Sequence, residues 1–342
     1  MKASARSPSP RDGLVVIPTL VTCLPAGRQV GCNGLSEPAA AFIGPTDVQA
    51  HGADLNRWIK KERNMETIGA GRWLSPEMTL KGLRLVKKGQ IYRLGQVLST
   101  DIPQLSDSPN ISRSRRFTIG RSPASRPGSG ALSEVVELPT HTGTHIDAFG
   151  HWYCDERVFG GRPKSEVWTE DGLVDLGIDR CPPLLTRGVL FDVAAHRGVE
   201  MLESDVSIDR EDLEAVAGAE SIRLQSGDVA LVRTGWSRLW EKRERRYMLE
   251  EPGLTGEAAR WLGEQGVVAI GADNWAIDAC PPSAPRNRAV HELCLTEMGI
   301  YLIENLNLEE LGRDRSYEFL FVAVPVRLKG GTGFPIDPVA VV

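Results

Sequence analysis

Apolar residues in this chain fall into short runs, not long ones. Residues 188–193, 228–234 and 267–270 are runs rich in Val, Leu and Ala bounded by Gly or Asp, the pattern of buried β-strands. Residues 300–304 and 319–324 add two more. Between the runs the period changes. Leu213, Val216 and Ala217 share one face of a helix predicted over 209–217, with Asp209 as its N-cap. Ala258, Trp261 and Leu262 do the same over 255–265, where Gly266 supplies the stop. Residues 291–298 predict a short helix that stops at Gly299. Strands mixed with helices in this way predict an α/β (mixed α+β) domain built on a mixed sheet.

The first 75 residues lack that pattern. Residues 1–13 are rich in Ser, Pro and Arg, which predicts disorder. Residues 14–24 are apolar but interrupted by Pro18, and they follow Lys2, Arg6 and Arg11 in the outline of a signal peptide. Pro25-Ala26-Gly27-Arg28 offers no small-x-small cleavage site, so a cytoplasmic location is expected. Residues 1–75 are expected to be a weakly ordered extension, or an over-extended gene start with Met65 as the next initiator. The folded domain is expected over 76–342. A serine-rich polar stretch, 106–133, is expected to be a long loop. No run approaches the ~18 apolar residues of a membrane span.

Composition removes several function classes. Lys+Arg 40 against Asp+Glu 45 leaves no basic excess for nucleic acid or an anionic membrane. The 6 cysteines show no C-x-x-C spacing and are too sparse for a disulfide framework, so reduced thiols are expected. Neither G-x-G-x-x-G behind a strand nor G-x-x-x-x-G-K-[ST] occurs, so a nucleotide role lacks its phosphate cradle.

Histidine changes the picture. The chain has only 6, and His141, His145 and His151 fall close together around Asp147. The gaps are 4, 2 and 4 residues. On an extended chain, even spacing points every side chain to one face. On a helix Asp147 would point about 200° away from His145 at ~100° per residue. Thr142, Gly143 and Thr144 also disfavour helix. A strand or taut loop is therefore expected to bring three imidazoles and a carboxylate to one point. That is the donor set of Zn²⁺, Mn²⁺ or Fe²⁺ with positions left open. A purely structural site would need four closed ligands, the most this segment could supply.

A second segment could complete the site. His291 opens the predicted 291–298 helix, and Glu304 ends the 300–304 strand. A carboxylate behind such an apolar run is costly if buried alone, so it is either paired, metal-bound or at the surface. Phe149, Trp152, Tyr153 and Trp275 lie near these residues in sequence and are either core packing or a surface for an aromatic substrate.

The segment His141-Thr-Gly-Thr-His-Ile-Asp147, followed by His151, resembles the H-x-G-T-H-x-D-x-x-x-H signature of the cyclase family of metal-dependent hydrolases. That family includes kynurenine formamidases and isatin hydrolases. Stretches 187–193, 227–236, 272–274 and 299–306 resemble further family blocks in family order, so the likeness covers roughly 80–342. The resemblance implies a swivelling β/β/α fold around a barrel-like sheet and a homodimer or larger assembly. It implies Zn²⁺ or Mn²⁺ held by His141, His145 and Asp147, with His291 and Glu304 as the distal pair, around one ion or two sharing Asp147. His151 is then the proton-transfer residue, with Glu304 able to share that role. The implied reaction is opening of an amide or lactam bond in a small substrate, with lactone hydrolysis, dehydration or cyclisation on the same scaffold as alternatives. A metal- or ligand-binding protein without turnover is the alternative of another class. Formamidase-type members tend to carry Pro two residues after the Asp, where this chain has Phe149.

Overall fold

All five apolar runs become strands of one sheet. In this computed structural model, which describes residues 65–104, 117–121, 133–281 and 288–342, the sheet strands are β1 (Ile91–Arg93), β2 (His145–Asp147), β3 (Leu184–Asp192), β4 (Val229–Arg233), β5 (Ala269–Ala272), β6 (Tyr301–Glu304), β7 (Glu318–Ala323), β8 (Gly333–Pro335) and β9 (Val339–Val341). Their spatial order is β1-β9-β7-β3-β4-β5-β6-β2-β8. The inner four, β3 to β6, run parallel in sequence order. The flanking pairs are antiparallel. The result is a mixed α/β fold around a curled half-barrel sheet. Every residue of β4, β5 and β6 is buried, because helices cover parallel strands and leave no polar face to alternate with.

Crossover helices form where the sequence places them. The helix Arg210–Glu220 starts from a capping box in which Asp209 accepts from the Asp212 N–H and Asp212 accepts from the Asp209 N–H. Gly256–Glu264 begins at Thr255, whose hydroxyl accepts from the Ala258 N–H, and ends before Gly266 at φ +85°. The predicted 291–298 helix is instead an α-turn, Ala289–Glu292, that widens into a π-helical turn, Leu293–Met298, closed by Gly299 at φ +67°. Such π-turns recur at functional sites.

Two expectations need correction. Residues 65–75, placed in the extension, are folded: Met65–Ile68 and Gly69–Trp73 are helical, and the Ala70 N–H donates to the Gly299 carbonyl at 2.6 Å. Ser75 then caps the helix Pro76–Leu83. Residues 1–64 lie outside the described residues. Within the serine-rich stretch, Thr118–Arg121 pairs antiparallel with Glu134–Glu137, opposing Ile119 to Val136. Residues 105–116 and 122–132 are likewise outside the description. Residues 155–183 send Val167, Leu176 and Ile178 into the core. The described cysteines Cys154, Cys181 and Cys294 are free thiols.

Candidate metal centre

Strand register assembles the site. β2 and β6 pair antiparallel with Glu304 opposite His145 and Leu302 opposite Asp147. Opposed residues of an antiparallel pair project to the same side, and so do residues two apart. His145, Asp147 and Glu304 therefore share one face. On the other flank of β2 the residue opposite Asp147 is Gly333, and its missing side chain makes room for a ligand. A Cβ there would lie 2.6 Å from His141 Cε1 and 2.7 Å from the Ile146 carbonyl. Gly333→Ala is expected to push His141 aside, cost about 1–3 kcal/mol of stability and weaken metal retention, as thermal unfolding and metal analysis would read.

Even spacing does not act alone. Only 145–147 is strand. His141 reaches the site through a turn at Gly143, φ +62°, a left-handed conformation that favours glycine. His151 arrives from the 3₁₀ turn Phe149–His151, its ring stacked on His141 with centroids 3.9 Å apart. His291 comes from across the cavity on Ala289–Glu292.

The six predicted polar residues converge. Asp147 Oδ1 lies 2.6 Å from His141 Nδ1 and 3.4 Å from His145 Nε2. Asp147 Oδ2 lies 3.8 Å from His291 Nε2 and 3.9 Å from His151 Nε2. Glu304 bridges the two sides, 3.2 Å from His145 Nε2 and 3.1 Å from His291 Nε2. Two groups result, His141/His145/Asp147 and Asp147/His151/His291, each with ligand atoms within 4.8 Å of one another. They share Asp147, one through each carboxylate oxygen.

Neighbouring groups orient each ring. His145 Nδ1 lies 2.8 Å from the Gly143 carbonyl, which can only accept, so that nitrogen carries the proton and Nε2 faces the carboxylates. His291 Nδ1 donates in the same way to Asp278 at 2.6 Å. His141 Nε2 lies 2.8 Å from the Thr332 hydroxyl, and its Nδ1 faces Asp147. Both Asp147 oxygens, Glu304 Oε1 and His141 Nδ1 are buried, and what they face is one another and the neighbouring ring nitrogens. Convergent buried acceptors of this kind are able to hold a cation. The donor set, imidazole nitrogens and carboxylate oxygens, fits a divalent one.

The local charges agree. Burial opposes ionisation of His145 and His291, yet contact with Asp147 and Glu304 for the first, and with Asp278 and Glu304 for the second, raises both to about 10. Burial likewise opposes the Glu304 carboxylate, but His145 and His291 bring it down to about 2. The carboxylates that hold protons on these rings would hold a divalent cation in their place, binding then releasing protons. His151 differs. Although 26% of its side chain is exposed, desolvation and the neighbouring His141 lower it to about 3, so it is neutral at neutral pH.

A cavity of about 350 Å³ opens over these residues, walled by Trp152, Trp240 and Trp275. Trp152 and Trp275 stand where the sequence suggests a substrate surface. Phe149 does not: it is 1% exposed and stacks on Tyr301, centroids 4.3 Å apart, within the core. Asp278, Thr332, Arg288 and Trp240 were not singled out by sequence reasoning. They come from four separate segments with no shared spacing. For Asp278 the one available signal was a carboxylate after apolar Trp275-Ala-Ile277.

Fold and site together define a mixed α/β protein with a His/Asp cluster able to bind a metal. The Cyclase family model matches residues 92–279, more than half of the chain, and the chain belongs to that family. It is 26% identical over 213 residues to Cyclase-like protein 2 of Oryza sativa subsp. japonica, covering 61% of this chain and 65% of the relative. It is 27% identical over 220 residues to Cyclase-like protein 3 of the same plant, covering 63% and 67%. The match thus spans about two-thirds of these relatives' length. Among solved structures, a crystal structure of a novel cyclase aligns with TM-score 0.73 and 25% identity over 82% of this chain and 97% of that one. An isatin hydrolase bound to the product analogue thioisatinate aligns with TM-score 0.58 and 21% identity, covering 79% and 99%. Isatin hydrolase A from Ralstonia solanacearum aligns with TM-score 0.57 and 24% identity, covering 73% and 91%. The isatin hydrolases share the fold. No helix among the described residues is long and apolar enough to cross a membrane.

Proposed function

We propose that this chain is a metal-dependent hydrolase that opens the amide or lactam bond of a small aromatic substrate with an activated water. The observation that carries the reading is the pair of ligand groups sharing Asp147 beneath a tryptophan-walled cavity. Kinship with an isatin hydrolase fold supports it. His141, His145, Asp147, His291 and Glu304 hold Zn²⁺ or Mn²⁺ in this reading. Such an ion supplies a more acidic water and a polarised carbonyl. Trp152 and Trp275 sandwich or flank the substrate ring and exclude bulk water. His151, neutral and facing the cavity, accepts the water's proton and returns it to the leaving nitrogen. Glu304, fixed between His145 and His291, stays ionised and shares that proton traffic only where it is not bound as a ligand.

Metal analysis of the purified chain, paired with turnover of isatin and N-formylkynurenine, tests the reading. Stoichiometric divalent metal and hydrolysis of at least one amide or lactam are expected. Bound metal without turnover of any amide, ester or lactone in a panel would overturn it in favour of a binding protein.

A further inference from the structure

Among the described residues lining the cavity, Arg288 is the one side chain with a permanent positive charge. It sits three residues before His291, so the segment that delivers a candidate ligand delivers this guanidinium too. Its Cζ lies over the Trp275 ring, 4.6 Å from the centroid, a cation–π contact. Its Nη1 is buried and makes no hydrogen bond. A buried guanidinium nitrogen without an acceptor is costly, by roughly 1–3 kcal/mol or more for a charged group, which is hard to reconcile with a purely structural role. Glu251 does not absorb the charge. It forms no ion pair with Arg288 among the described residues, and its Oε1 also lacks a hydrogen bond. Burial holds the Glu251 carboxyl well above the usual carboxylate range, with Arg288 lowering it only in part.

Apart from the metal-centre residues, the remaining described walls are apolar or uncharged, with Gln104, Thr142 and Asn305 as the neutral polar side chains. A substrate in this cavity therefore meets imidazoles and a carboxylate at one place, indole faces along the walls, a few neutral polar groups, and a single guanidinium. We infer that Arg288 is a specificity residue that receives a carboxylate on the substrate, separate from the bond that is cleaved. The inference rests on the hydrolase reading and narrows its substrate class to carboxylated aryl amides. A guanidinium fork matches a carboxylate with two parallel N–H···O bonds. A dianionic phosphate would call for further cations that these walls do not offer. The volume, about 350 Å³, is at the small end for ligand sites, which suits one ring with short substituents.

A matched pair of substrates tests this, formanilide and its ring-carboxylated analogue 3-formamidobenzoate. The metal-loaded chain is expected to prefer the carboxylated amide by roughly 10- to 100-fold in kcat/KM, the scale of a hydrogen bond to a charged group, mostly through KM. Arg288→Met should bring that ratio to near one, and Arg288→Lys should retain part of it because the charge stays while the fork is lost. An unchanged ratio in Arg288→Met, or no preference in the parent chain, overturns the assignment. Should neither amide be hydrolysed, the panel above decides the hydrolase reading, and the subsite is read independently of turnover by tryptophan fluorescence. Benzoate should then bind more tightly than benzamide in the parent chain and lose that advantage in Arg288→Met. Equal binding of the two in both proteins overturns the subsite on its own terms.

Discussion

Asp147→Asn is expected to empty the site of metal and abolish turnover. All four histidines of the site meet Asp147: Oδ1 faces His141 and His145, and Oδ2 faces His151 and His291. The substitution keeps shape and volume, so the core around β2 should fold as before. It replaces an anion with a neutral amide whose NH₂ is a donor, directed at ring nitrogens that must also be free to bind a cation. One carboxylate, Glu304, then remains to balance a divalent charge in a buried site, and the desolvation of that charge is no longer offset. Outer-sphere substitutions typically weaken metal affinity about 10- to 100-fold. Removing a carboxylate common to both ligand groups should exceed that, leaving a small fraction of the parent metal content after dialysis. Elemental analysis of the parent and variant checks it. Full metal retention in Asp147→Asn would show that the ion is held elsewhere.

The centre of this site could be read from sequence because its chemistry is local. His141, His145, Asp147 and His151 come from one eleven-residue stretch, and the strand parity of 145–147 does hold. The distal pair was readable only as a possibility from residue type and position, since nothing local says that β6 lies beside β2. What the spacing could not convey is how His141 and His151 get there. Both leave the strand, one through the left-handed turn at Gly143 and one through a 3₁₀ turn. The parity rule gave the right face for a reason that applies to only part of the segment. Phe149 shows the same limit: one residue past Ala148 the turn sends its ring into the core against Tyr301 and Phe159. The strands β3 to β7 were legible because continuous burial leaves continuous apolar runs. The strands β1, β2, β8 and β9 are three residues each, too short to carry a period. Partners such as Asp278 and Thr332 are set by tertiary packing, 13 and 191 residues from the histidines they orient.

His151→Ala should separate proton transfer from metal binding. His145, Asp147, His291 and Glu304 have side chains between 1% and 6% exposed, whereas His151 is at 26% and lines the cavity. Its Nε2 makes its closest carboxylate approach at 3.9 Å, longer than the 2.6 to 3.4 Å contacts of His141 and His145 to Asp147. It is also the imidazole lowered to about 3, by desolvation first and then by His141, while His145 and His291 are raised to about 10. A neutral ring at the cavity wall is suited to accept a proton and pass it on. The variant should therefore keep its metal, show a KM close to the parent value, and lose about 10²- to 10⁴-fold in kcat, the range of a general acid/base. Added imidazole should restore part of the rate, because the deletion leaves space beside His141. Metal loss in His151→Ala would instead make it a ligand, as its membership of the Asp147/His151/His291 group allows. An unchanged kcat with metal retained would remove it from the chemistry and leave Glu304 as the proton carrier.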